Sequence, residues 1–122
     1  MRTDIAVTLR PAAGPPIDDG SRLERYRLHA EICKVLTDPK RLMLIDALRA
    51  GEQSVGELAE MVGLSLANAS QHLAVLRHAG LVSTRRAGTS IHYRLSGPEL
   101  VEACDVIERL VLRRLDLSPR ER

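Results

Sequence analysis

The chain has no tryptophan and no phenylalanine, and Tyr26 and Tyr93 are its only aromatic residues. Proteins that hold single-stranded DNA or RNA stack the bases on aromatic rings, so this shortage argues against those folds and favours a duplex if the ligand is a nucleic acid. Cysteine is as scarce as tyrosine. Cys33 and Cys104 make no disulfide framework, and in a reducing compartment they are expected as thiols unless they have a redox task. No apolar run approaches the roughly 20 residues of a membrane span, and the N-terminus lacks the core of a secretory signal. A cytoplasmic protein with no membrane partner is expected. An enzyme would need a nucleophile, base and orienting group, or a phosphate loop; neither is found, and no cofactor is implied.

The most informative absence is of negative charge. From Met61 to Pro98 there is no Asp or Glu, while the rest of the chain holds all 16 carboxylates. That window contains Arg77, Arg85, Arg86 and Arg94 with His72, His78 and His92, so a protein of net charge +2 concentrates its positive potential on one stretch. Phosphate contact dominates nucleic-acid affinity and each nearby carboxylate subtracts from it, so a polyanion is the partner such a stretch fits. A chance gap in a solvated surface is the plain alternative.

The pattern inside the window decides against chance. Leu66, Ala69, Leu73 and Leu76 recur at spacings of three and four, one stripe of a helix with Ser65 as N-cap and Gly80 as its stop. Opposite the stripe fall Ala67, Asn68, Gln71, Val75 and His78, with Ser70 and His72 on its flanks. Small residues and short hydrogen-bonding side chains suit entry into a major groove, where amides meet base edges. Upstream, Ser54-Val55-Gly56-Glu57 is a capping box opening a short helix that stops at Gly63. Two short helices joined by Gly63-Leu64-Ser65 are a helix-turn-helix.

After Gly80 the period changes to alternation. The runs 81–86 and 90–95 are β-rich and are separated by Ala87-Gly88-Thr89, a hairpin with Gly88 at its tip. The fold class is therefore mainly α with a small β-hairpin, a winged helix-turn-helix. Arg85, Arg86 and Arg94 lie on the wing, where, with no compensating acids, they are expected to meet phosphates or the minor groove rather than merely solubilise a ribbon.

The ends complete a single domain. Residues 1–20, rich in Pro, Gly and Asp, are expected as a flexible tail, 21–117 as the folded domain and 118–122 as a second tail. Ser21 and Glu24 form another capping box. The helix that follows, to about Leu36, has two apolar stripes: Leu28, Ile32, Val35 and Leu36 on one side, and Leu23, Tyr26, Ala30 and Cys33 nearly opposite. The last helix, opened by Ser96, Pro98 and Glu99, repeats this, with Leu100, Cys104, Ile107, Val111 and Leu115 on one face and Val106 and Leu110 on the other. A surface helix needs one apolar stripe, so the second on each suggests burial against a partner chain.

The motifs D-P-x-R-L at Asp38 to Leu42, S-Q-H-L at Ser70 to Leu73, L-R-x-A-G-L-V at Leu76 to Val82 and G-x-x-x-x-Y-R-L at Gly88 to Leu95 stand in one order and spacing. Over about Ala30 to Ser96 the chain resembles the ArsR/SmtB family of small bacterial winged-helix repressors. The resemblance implies a symmetric dimer, built through the N- and C-terminal helices, that binds an imperfect inverted repeat in a promoter and is released by a chemical inducer. It places recognition-helix contacts on Asn68, Ser70, Gln71 and His72, and wing contacts on Arg85, Arg86 and the Gly88 tip.

For the inducer the residues leave several paths. Family metal sites use a Cys-x-Cys pair near the helix that here reads Ser54-Val55-Gly56-Glu57-Leu58, or His and carboxylate ligands on a last helix that here has no His, so no metal is expected. Glu102, Asp105 and Glu108 are better taken as a solvated face, Asp105 standing four before Arg109 for a helical ion pair. Some family members sense oxidants or reactive sulfur through one cysteine near the first helices and one on the last, the first usually where this chain has Asp46. Cys33 and Cys104 are the candidate pair for an oxidant, persulfide or other small-molecule inducer, with structural thiols as the alternative. A metal- or metalloid-responsive repressor with a non-standard site, and a winged-helix protein-interaction module, remain the other classes.

Overall fold

Each helix of the helix-turn-helix is bounded by its own side chains. The computed structural model describes residues 19–116. In chain order these form α1 (Asp19–Val35), α2 (Pro39–Ala47), a 3-10 turn (Leu48–Ala50), β1 (Gln53–Ser54), α3 (Val55–Val62), α4 (Leu66–His78), β2 (Val82–Ala87), β3 (Ser90–Leu95) and α5 (Glu99–Asp116). Asp38 caps α2 by accepting from the Lys40 amide at 2.7 Å, and Pro39 occupies the first turn, where a missing N–H costs nothing. Ser54 caps α3 in a complete capping box: the Glu57 amide donates to Ser54 Oγ at 3.2 Å and the Ser54 amide to Glu57 Oε1 at 2.8 Å. Ser65 caps α4 by accepting from the Asn68 amide at 3.1 Å.

The turn between α3 and α4 needs a left-handed residue, and Gly63 supplies it with φ 72. Its amide reaches the Glu60 carbonyl and the Leu64 amide reaches Ala59, the paired bonds of a Schellman ending. The same pair ends α4, from Gly80 to Arg77 and from Leu81 to Leu76, and it tucks Leu81 against the core above Leu76.

β2 and β3 pair antiparallel from Val82↔Leu95 to Ala87↔Ser90, leaving Gly88 and Thr89 as a two-residue loop, one shorter than Ala87-Gly88-Thr89 implied. Gly88 has φ 65 and, among the described residues, only glycines have positive φ, which is the II′ pattern whose twist matches the strands. A third strand, absent from the sequence expectation, completes a sheet of order β1-β3-β2: Gln53 pairs with Tyr93 and Ser54 with His92. A two-residue strand has too little alternation to register in sequence.

The core is aliphatic, as a chain without Trp or Phe requires. Leu44, Ile45, Leu48, Leu58, Leu73, Leu76 and Val82 form one buried cluster, with Val35, Leu36, Val55, Leu64, Tyr93, Leu95 and Leu100 packed around it. Burial of each large aliphatic side chain contributes about 1.5–3 kcal/mol. Ala69, Leu73 and Leu76 of the expected α4 stripe are buried, but Leu66 is 58% exposed. As the first residue of its helix it lies before the stripe reaches the core.

The described residues divide after Glu31, inside α1, into two units. In the first unit α1 starts at Asp19, so Ser21 sits in the first turn instead of capping it, and residues 20–31 are exposed. The second unit is the winged helix. The expectations for residues 1–18 and 117–122 lie outside the described residues. Among the described residues no helix is long and apolar enough to cross a membrane.

Candidate nucleic-acid interface

On α4 the short cap at Ser65 and the burial of Ala69, Leu73 and Leu76 dictate which side chains face out. Asn68, Ser70, Gln71, Arg77 and His78 are exposed and His72 is half-buried. A stretch of amide and hydroxyl donors and acceptors thus stands clear of the fold over the first two turns, while Arg77 and His78 occupy the last turn, where positive charge complements the helix dipole. His78 Nδ1 lies 2.9 Å from the Ala74 carbonyl, which only accepts, so that nitrogen carries the proton.

His72 has a partner that sequence did not suggest. Arg41 Nη1 is 3.3 Å from His72 Nδ1, and Arg41 Nε donates to the Val35 carbonyl at 2.7 Å. A guanidinium has no acceptor, so His72 Nδ1 accepts and its Nε2 holds the proton, a donor available to a phosphate or base edge. Arg41 therefore ties the end of α1 to α4. It stood in the sequence only as the Arg of D-P-x-R-L, and no local signal reveals a contact across 31 positions. The neighbouring Asp38 carboxyl is held below its usual range, first by the Lys40 amide and then by the Arg41 amide.

The wing arginines do not act as one patch. Cross-strand partners share a face of the sheet, and faces alternate along a strand. Val82, Thr84 and Arg86 oppose Leu95, Tyr93 and Ile91, so Arg86 extends the face that begins at the buried Val82. Ser83 and Arg85 oppose Arg94 and His92 on the other face, and Arg94 Nε donates to Ser83 Oγ at 3.3 Å. Arg85, Arg86 and Arg94 are all exposed, with Gly88 at the exposed tip.

One expectation for this face fails. Arg85 is not uncompensated: Glu52, beyond the acid-free window, forms a two-pronged pair with it, Nη2 to Oε1 at 2.5 Å and Nε to Oε2 at 2.9 Å. The Arg85 hydrogen bonds hold the Glu52 carboxyl below its ordinary range, and Arg85 is raised in return. The gap in sequence is real, but β1 pairing with β3 carries a carboxylate into it from 33 positions away.

Cys104 and Asp105 lie on the first half of α5. Asp105 does not pair with Arg109, as its spacing suggested; Arg49 takes it, at 2.5 Å from Nη2 to Oδ1, while Arg49 Nε holds Asp46 Oδ1 at 2.7 Å. A guanidinium fork that meets two carboxylates outcompetes a lone contact one turn along the helix. Asp105 is lowered mainly by this bond, with Arg109 a weaker, through-space influence. Cys104 is half-buried in a groove of about 820 Å³ with Leu36, Met43, Asp46 and Arg49, and burial pushes its thiol up. Cys33 is exposed, and both are free thiols. Among the described residues no group of three or more His, Cys, Asp or Glu could hold a metal ion.

Residues 38–84 match the family model for bacterial regulatory proteins of the arsR family. The chain is 40% identical over 89 residues to the uncharacterised HTH-type transcriptional regulator Rv0081 of Mycobacterium tuberculosis, covering 72% of this chain and 78% of that one. It is 48% identical over 67 residues to the biofilm growth-associated repressor of Xylella fastidiosa, 55% of this chain and 59% of that one. Among solved structures it is similar to the homodimeric winged helix-turn-helix DNA-binding domain Mb0332 of Mycobacterium bovis, with TM-score 0.71 and 28% identity over 88% of this chain and 97% of that one. Each of these is described as a regulator, a repressor or a DNA-binding domain.

Proposed function

We propose, for a chain that belongs to the arsR family of bacterial regulatory proteins, that it is a cytoplasmic homodimeric repressor. It binds an inverted-repeat operator in double-stranded DNA and lets go when a chemical inducer acts on it. The observation that carries this is the exposed face of α4, where Asn68, Ser70 and Gln71 stand clear of the fold inside a stretch without carboxylates. Amide side chains satisfy adenine bidentately in the major groove, and a serine hydroxyl can donate to or accept from a base edge. His72 through Nε2, Arg77, Arg86, Arg94 and the Gly88 tip are assigned to phosphates or the minor groove, and Arg85 joins them when its carboxylate partner yields.

The dimer rests on apolar area. Leu23, Tyr26, Leu28 and Ile32 on α1, and Val106, Ile107, Leu110, Val111, Leu112 and Leu115 on α5, are all exposed, and α5 has no buried residue. Rows of large exposed aliphatics of this extent mark association surfaces. We assign them to the homodimer, with residues 21–117 as the domain that folds and dimerises; the homodimeric Mycobacterium bovis domain supports this. Two recognition helices then meet one face of a duplex about 34 Å apart.

Release is assigned to thiol chemistry at Cys33 and Cys104. The exposed Cys33 meets an oxidant or persulfide first, and Cys104, whose thiol is pushed up by burial, resolves it. Fluorescence anisotropy on duplex fragments at two salt concentrations, with sedimentation of the complex, tests the whole. The expected result is two chains per site and an affinity that falls steeply with salt; one chain per site, or binding indifferent to salt, excludes the reading and leaves a winged-helix protein-interaction module.

A further inference from the structure

Glu52 brings a carboxylate into the basic surface of the wing. It follows Gly51 and precedes β1, and the pairing of Ser54 with His92 sets it beside β3. Its two oxygens take Nε and Nη2 of Arg85, the geometry with which a guanidinium holds a phosphodiester. The register puts Arg85, His92 and Arg94 on one face of the sheet, and Glu52 feels all three. Its side chain is three-quarters covered, whereas that of Arg85 is more than half exposed. The carboxylate is thus fixed by the fold and the guanidinium is the partner free to leave. Other ion pairs on this protein tie helices or turns; this one alone, among the described residues, occupies an arginine of the wing.

We propose that Glu52 is an internal stand-in for a DNA phosphate, a positioning residue that holds Arg85 in its phosphate-binding geometry and sets how strongly the wing grips a duplex. The proposal rests on the DNA-binding reading above and deepens it. In the free protein Arg85 is already oriented, so no rotamer search is left for the encounter. On the duplex a phosphate has to displace Glu52 or leave Arg85 to it, and in either case the wing delivers less than its charge count promises. Each phosphate neutralised releases counterions and adds close to one unit to the slope of log affinity against log salt. With Glu52 present Arg85 contributes only a fraction of that unit. Because phosphates carry no sequence information, the effect falls equally on cognate and random DNA. Glu52 therefore tunes affinity without tuning specificity, and keeps the complex weak enough for a modest change elsewhere to empty the site.

The test uses the full chain and two probes: a duplex that the parent protein recovers from a random-sequence pool, and a shuffled duplex of the same composition. Glu52→Gln keeps the shape and a hydrogen-bond acceptor but removes the charge. The expected result is several-fold tighter binding to both duplexes, in equal measure, and a salt slope steeper by up to about one ion. Adding Arg85→Ala to Glu52→Gln should abolish the gain and return the slope. Weaker binding of Glu52→Gln to both duplexes means that Glu52 only props the wing, and overturns the proposal. An unchanged affinity and slope overturns it too, while a parent that binds salt-dependently leaves the regulator reading standing. A parent that binds neither duplex overturns both.

Discussion

Arg49 bonds Asp46 within its own turn and Asp105 on the last helix, 56 positions away, so one guanidinium fastens α5 to the helical core of the winged helix. No residue of α5 is fully buried in the single chain, and its first half rests on the partly buried Leu100 and Cys104 and on this pair. The helix that supplies part of the proposed interface is therefore met at its root by an ion pair as well as by apolar contact.

This fastening should loosen in acid. Arg49 holds the Asp105 carboxyl below its ordinary value of 3.8, so the folded state binds that proton less readily than the unfolded chain. The contribution is complete above the unfolded pKa and is lost as pH falls through the folded one, below about pH 4. Asp105→Asn should remove it at every pH. Hydrogen exchange along α5 at neutral pH is expected to be faster in the variant than in the parent. Equal protection in the two would mean the pair is a surface contact with no hold on the helix.

Two leucines of the α4 stripe separate packing from periodicity. Leu73 is 0% exposed, and truncation to alanine should cost about 2–5 kcal/mol in urea unfolding, because it leaves a cavity under the recognition helix. Leu66 has the same place in the apolar period but is exposed, and Leu66→Ala should stay within about 0.5 kcal/mol. Similar losses at both sites would mean that Leu66 is covered in solution, by a second chain or by a changed helix start.

The contrast marks what a sequence of this kind discloses. Ser54, Glu57, Gly63, Ser65 and Gly80 announce their helices because each cap is completed within a few positions, and all five act as expected. The outward set Asn68, Ser70 and Gln71 follows from the helical period once the buried face is known. Pairings across the fold leave no local trace: Glu52 with Arg85, Arg41 with His72, Arg49 with Asp105, and the two residues of β1 with β3. Local spacing also misplaces a charge: Asp105, set one turn before Arg109, goes to Arg49, a better-shaped distant partner. The split of Arg85 and Arg94 from Arg86 required a register, which a two-residue loop fixes and a three-residue loop would have reversed.

Base contacts and phosphate contacts should separate cleanly between α4 and the wing. Gln71→Ala is expected to lower discrimination between a selected duplex and random DNA by about 1–3 kcal/mol, the cost of one base contact. Arg86 lies on the face of the sheet away from Glu52 and, among the described residues, forms no ion pair, so Arg86→Ala should weaken binding to both duplexes alike while flattening the salt slope by about one ion. Titrations of both variants on both duplexes decide it: matching profiles would mean that helix and wing do not divide the work.

Thiol sensing makes the sharpest demand on the structure. Joining Cys33 to Cys104, within a chain or between two, requires their Cα atoms to approach to about 4.4–6.8 Å. The step takes two electrons and two protons from the thiols; peroxide accepts them and leaves as water. Burial raises the Cys104 thiol, so little of it is thiolate at neutral pH and it should alkylate slowly there, faster as pH rises through its raised value. A bridge would drag α5 against the Arg49 fastening, and a coupling of about 1–3 kcal/mol between that strain and DNA binding would lower occupancy several-fold or more. Reduced protein should bind a duplex and peroxide- or persulfide-treated protein should release it. Cys33→Ser and Cys104→Ser should each abolish release while leaving reduced binding intact, with mass spectrometry of the treated parent showing the Cys33–Cys104 link. If both variants release DNA as the parent does, the two cysteines are packing residues and the inducer acts through another part of the fold.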